Sequence, residues 1–258
     1  MDTLALKLIL TPTLIGAASL AGRRWGPAVS GWLVGFPFTS APIALFLALA
    51  HGPAFAASAA AGTMAGAISQ AVFCVTYGYT ARRGWPIALG LACLAFAAST
   101  AALEPVALHP IPLFAVVIAA LLCALRTMPA PSAMERAPGT EAPPWDIPAR
   151  MVVATAFVLL LTGVASGLGP HLTGLLAPFP LYAAVLAVFA HHLHGATAAA
   201  AVLRGLLLGL FAFAGFFLVL ASLLERAGLG VAFAAAIAVT AAIQSLALLT
   251  LRRTQPIG

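Results

Sequence analysis

Gly26–Gly66 reads GPAVSGWLVGFPFTSAPIALFLALAHGPAFAASAAAGTMAG, and Gly169–Gly209 reads GPHLTGLLAPFPLYAAVLAVFAHHLHGATAAAAVLRGLLLG. The two align without a gap at a constant offset of 143 residues, and 15 of the 41 aligned pairs are identical. Alanine and leucine match by chance in any apolar sequence, so residues of special backbone geometry carry the comparison. They include Gly26/Gly169, Pro27/Pro170, Gly31/Gly174, Phe36/Phe179, Pro37/Pro180, His51/His194, Gly52/Gly195, Gly62/Gly205 and Gly66/Gly209. The chain is therefore read as an internal duplication.

Composition sets the medium. The 258 residues are 63% hydrophobic and 7% charged, with a mean hydropathy of +1.09. A soluble domain carries about a quarter charged residues. Apolar runs of roughly 20 residues separated by short polar breaks indicate membrane spans. In lipid the backbone must satisfy its own hydrogen bonds, and the absence of period-2 alternation selects helices over a barrel. The formal charge of +6 fits the basic loops of a membrane protein better than nucleic-acid binding. Cys74, Cys93 and Cys123 fall inside apolar runs and read as buried free thiols.

The expected fold is an all-α polytopic bundle of about nine spans. Two four-helix inverted repeats, residues 1–104 and 150–258, are joined by one extra helix in 105–128 and a Pro-rich cytoplasmic linker, 129–149. The spans are expected near 4–21, 26–50, 55–79, 87–103, 113–125, 151–166, 171–192, 203–223 and 230–251. The fifth is short and must borrow flanking residues to cross the bilayer. With the N-terminus outside and the C-terminus cytoplasmic, ten of the 12 Lys and Arg residues fall on the cytoplasmic side, leaving Lys7 and Arg226. Trp25, Tyr77, Tyr79 and Trp85 flank the same turns, as interfacial aromatics do. An odd number of spans between equivalent points reverses the second copy.

Phe36–Pro37 and Phe179–Pro180 fall mid-span. A proline there removes a hydrogen bond and displaces the carbonyl four residues earlier, Leu33 or Leu176. Paired interruptions at corresponding places point to a transporter's binding site. Phe36, Pro37, Phe179 and Pro180 are thus candidate solute-binding residues, joined by Gln70 and by Arg204, whose repeat mate is Ala61. His51 and His194 are candidates for proton-sensitive gates, although a His before a Gly also suits a helix C-terminus. Gly31, Gly35, Gly62, Gly66, Gly205 and Gly209 form GxxxG pairs expected to pack helices. His191, His192 and His194 lack acidic or thiol companions for a metal site, and no cofactor is expected. No GxSxG, HExxH, P-loop or carboxylate pair suggests an enzyme.

Gly31, Phe36, Pro37, His51 and Gly52, and again Gly174, Phe179, Pro180, His191 or His194, and Gly195, resemble the core pattern of the GlpM family of small bacterial membrane proteins. The resemblance covers about 40 residues per copy. It implies an integral inner-membrane protein, here a tandem version of a four-span unit, and defines no reaction. The expected function is a permease moving a small solute between inverted repeats; the alternative is a non-transporting scaffold for an envelope pathway. Expected partners are the lipid bilayer and, as an option, a second copy of the chain, with no nucleic acid.

Overall fold

The computed structural model describes residues 3–25, 36–106, 108–129 and 145–254. The helices are α1 (Thr3–Trp25), α2 (Ser40–His51), α3 (Pro53–Thr80), α4 (Trp85–Leu103), α5 (Pro110–Thr127), α6 (Asp146–Leu168), α7 (Pro170–Leu176), α8 (Leu181–His194) and α9 (Ala196–Thr254), with one turn of 3-10 helix at Ala81–Arg83. No strand occurs among the described residues. Among the described residues, five helical stretches are long and apolar enough to cross a membrane: Pro53–Arg83, Trp85–Leu103, Pro110–Thr127, Ile147–Leu168 and Ala196–Leu246. The chain is an all-helical protein of membrane-spanning character.

The ends of these helices follow from local chemistry. α3, α4, α5 and α7 each carry Pro in the first turn, where its missing N–H costs nothing. Gly52, with φ 88 and ψ 170, separates α2 from α3, and Gly195, with φ 86 and ψ −179, separates α8 from α9. That backbone region is open to glycine almost alone, so each supplies a one-residue turn between apolar helices. Gly228, with φ 78 and ψ 171, divides α9 in the same way. The expected spans 203–223 and 230–251 thus belong to longer helical segments that meet at this glycine. The fifth expected span borrows Pro110–Pro112 before it and Arg126–Thr127 after it, and reaches 18 residues.

α3 is the hub. Of its most apolar window 72% is buried, against 22% for α4, α5 and α6. Ala, Gly and Ser line most of its length, with Met64, Phe73 and Tyr77 fully enclosed. Small residues permit close helix approach where no hydrophobic effect drives association. The thiols divide: Cys74 is buried, Cys93 half-buried and Cys123 exposed. The expectation of three buried thiols fails at Cys123 because only Leu113, Val117, Leu121 and Ala124 face inward on α5, leaving position 123 on the outer side.

Candidate functional site

Both Phe–Pro sequences are non-helical. Ala177–Pro180 is non-helical between α7 and α8, and Phe36–Thr39 is non-helical before α2. The local geometry is the same in each. Phe38 N–H donates to Phe36 C=O at 2.9 Å, and Leu181 N–H donates to Phe179 C=O at 2.8 Å. These are γ-turns centred on proline, and Pro180 at φ −80, ψ 53 lies near the inverse γ-turn values of about −75° and +65°. Ala41 N–H then donates to Pro37 C=O at 2.8 Å, and Ala184 N–H to Pro180 C=O at 2.7 Å. Each bond recurs 143 residues on, as do Gly52 N–H to Ala48 C=O and Gly195 N–H to His191 C=O. Pro180 lies in a full interruption between α7 and α8, and Pro37 in the same turn ahead of α2, each stitched by its own backbone.

The two interruptions touch. Ser40 Oγ, in the first turn of α2, donates to Ala177 C=O at 3.0 Å in a buried position. Pro37, Pro178 and Pro180 are buried; Phe36 and Phe179 are half-buried. Phe179 meets Phe96 edge-on, with centroids 5.2 Å apart, and Phe157 at 6.4 Å. Such edge-to-face pairs add about 0.5–1.5 kcal/mol beyond area burial.

α3 holds the second interrupted span along its length. A Cβ on Gly62 would press on the His171 carbonyl oxygen and lie 3.2 Å from Gly174 Cα. One on Gly66 would lie 2.5 Å from Pro178 Cγ and 2.7 Å from Leu175 O. One on Gly174 would meet the Ala59 carbonyl. Gly62 and Gly66 therefore pack α3 against α7 and the interruption after it. Gly205 has no neighbour within 4 Å of the corresponding point and is exposed, while Gly209 is buried. Gly31 and Gly35 lie outside the described residues. Farther along α3, Tyr77 Oη lies 3.2 Å from His191 Nδ1.

The remaining candidates separate. His51 is exposed at the end of α2, its ring stacked on Phe55 at 4.5 Å. His194 is the last residue of α8, before the Gly195 turn. Of the histidines near that turn, His191 faces the core through Tyr77. Arg204 Nη1 donates to Leu125 C=O at 3.1 Å and to Met128 C=O at 3.5 Å. It caps the C-terminal end of α5 rather than lining the interruptions, and a cation there meets the negative end of the helix dipole. Tyr79 Oη donates to Thr127 C=O at 2.6 Å on the same helix end. Gln70 is buried at 6% exposure, and its Oε1 has no hydrogen-bond partner. Among the described residues, no three His, Cys, Asp or Glu side chains gather to hold a metal ion.

Sequence alone does not single out Ser40, pair His191 with Tyr77, or give the partners of Gly62 and Gly66. A polar residue one turn after a Phe–Pro interruption was the signal available for Ser40. The pairing of Gly66 with Pro178 joins residues of different copies and leaves no local signature. Comparison with protein-family models, curated proteins and solved structures returns no match to this chain.

Proposed function

We propose that this chain is a membrane transporter whose two halves are inverted copies, with a small solute crossing where the two Phe–Pro turns meet. The observation that carries this reading is the buried Ser40–Ala177 bond, which joins one interruption to the other.

Helix directions support the inversion. Going along α3, Gly62 pairs with His171 and Gly174, Gly66 with Leu175 and Pro178, and Tyr77 with His191. Both sequences ascend together, so α7 and α8 run parallel to α3. α2 runs the other way. It begins at Ser40, level with Ala177 and so with Gly66, and ends at the Gly52 turn where α3 begins. α2 and α8 occupy the same repeat position and point oppositely. This is the relation expected of halves related by a two-fold axis in the membrane plane, with interrupted spans at the centre. Interrupted backbone at that depth is tolerated where protein or a cavity covers it.

The cytoplasmic face is assigned to the Tyr79 end of α3. The Tyr79–Thr127 and Arg204–Leu125 bonds draw together the ends that carry Arg82, Arg83, Arg126 and Arg204, as the positive-inside bias requires. The GlpM-like residues agree with an inner-membrane location.

Reconstitution tests the function. Flux of at least one solute from a broad panel into proteoliposomes, altered by Pro37→Ala and Pro180→Ala, is the expected result. No flux from folded protein across the panel would favour the scaffold reading. Labelling of single cysteines in the 82–84 and 104–106 turns from opposite sides tests the topology.

A further inference from the structure

Two polar atoms at the junction are buried without a partner, Thr11 Oγ1 and Gln70 Oε1. Thr11 is 0% exposed and Gln70 6%. Other threonines in these helices, such as Thr63 and Thr162, donate to the carbonyl four residues back. Thr11 does not, and a buried hydroxyl left without a partner is costly.

Both residues sit on helices packed beside the Phe–Pro turns. Gly66, Gln70, Phe73 and Tyr77 fall within roughly 60° on one face of α3 at 100° per residue. That face contacts Pro178 at Gly66 and His191 at Tyr77. A helical side chain lies over the turn preceding its own Cα, which brings the Gln70 amide back to the level of Pro178. On the other side, Lys7 Nζ stands 5.6 Å above the Phe46 ring of α2, and Gly16 lies beside Met151 near the start of α6. α6 ends where α7 begins, at the His171 end, so Met151 is toward the Tyr79 end. α1 therefore runs against α2. Thr11 lies on the same face as Lys7 and about 6 Å deeper. Phe46 is about 9 Å beyond Ser40 along α2, which sets Thr11 against the first turn of that helix.

The repeat shows that packing does not demand these polar residues. The mates of Thr11 and Gln70 at the 143-residue offset are Ala154 and Phe213, and both are buried. Hydrophobic side chains fill the same positions in the second copy, so the polar ones serve something other than filling space. The helix ends there, those of α2 and α8, are N-termini and carry positive dipole ends. Lys7 adds a cation one turn outward, and the described acidic side chains Glu104 and Glu225 are exposed at helix ends. The Gln70 amide can turn either its oxygen or its NH₂ group inward.

We propose that the junction is a binding site for a small solute bearing an anionic oxygen, a carboxylate or an inorganic oxyanion, bonded by the Thr11 hydroxyl and the Gln70 amide between the N-termini of α2 and α8. The proposal rests on the reading of the junction as the solute path, but binding and flux are measured separately. The full-length protein in detergent is dialysed to equilibrium against radiolabelled lactate and, separately, phosphate. Saturable binding of one of them is expected, weakened by about tenfold or more in Thr11→Val and in Gln70→Leu, as for loss of one hydrogen bond to a charged group. Gln244→Leu, which removes the third unpartnered buried polar side chain, should leave binding unchanged. Thr11→Ala and Gln70→Phe install the second copy's residues and serve if the first variants fail to fold. Absence of saturable binding of both anions to folded wild-type protein overturns the proposal, as does binding indifferent to Thr11 and Gln70. Binding without flux would keep this site and remove the transporter; flux of neutral solutes without anion binding would do the reverse.

Discussion

Gly66→Ala is the sharpest test of how the halves fit. The added methyl would lie 2.5 Å from Pro178 Cγ and 2.7 Å from Leu175 O, where carbon contacts settle at about 3.5–4.0 Å. Neither neighbour can rotate aside: one is a buried proline ring and the other a backbone carbonyl. α3 and α7 must part by roughly 1 Å, and overpacking of this kind costs about 1–3 kcal/mol. At about 2–4 °C per kcal/mol for a chain of this size, the upper half of that range lowers the melting midpoint by roughly 5–10 °C. Gly205→Ala supplies the control, because no atom lies within 4 Å of its added methyl. Alanine there should leave the midpoint unchanged or raise it, since glycine in a helix costs up to about 1 kcal/mol. The assay is thermal unfolding of purified full-length protein in one detergent, read by intrinsic fluorescence. A Gly66→Ala midpoint within about 1 °C of wild type, or equal losses for the two variants, would refute the close approach of α3 to the second interrupted span.

Three further outcomes follow from contacts described above. Arg204→Ala should cost about 1–2 kcal/mol by stripping the end of α5 of its cation and its donor; Arg204→Lys should recover part of this, and equal stability of all three would dismiss the cap. Tyr77→Phe should lower stability by roughly 0.5–1.5 kcal/mol and shift the His191 ring resonances in NMR, whereas unshifted resonances would mean the pair is not formed. Ser40→Cys with Ala177→Cys should crosslink on oxidation in membranes, through neighbours joined by a 3.0 Å bond; a pair that stays reduced would separate the interruptions.

Much of this fold is written locally. Glycine before proline at Gly52–Pro53 and Gly169–Pro170 marks a helix end and the next helix start, and Phe–Pro in mid-span marks an interruption because proline lacks the N–H a helix needs. What could not be read is which surfaces meet. Ser40 and Ala177 are 137 residues apart, and in an Ala-rich membrane chain almost any helix face is apolar, so periodicity does not select a partner. Arg204 reads as a solute-binding candidate for the same reason, since its role as a cap depends on α5 ending beside it. Thr11 gave no signal, because a lone threonine in a span ordinarily satisfies itself through the preceding turn.

The end of α5 has a mechanical consequence. Tyr79 comes from the first copy and Arg204 from the second, and both grip carbonyls of the helix that connects the copies. Hydrogen bonds of this length weaken steeply beyond about 3.5 Å, so the two halves can slide past each other at this end by little more than an ångström before one grip is lost. In the proposed transport, larger rocking opens toward the opposite end, with the connecting helix as the strap that sets the pivot.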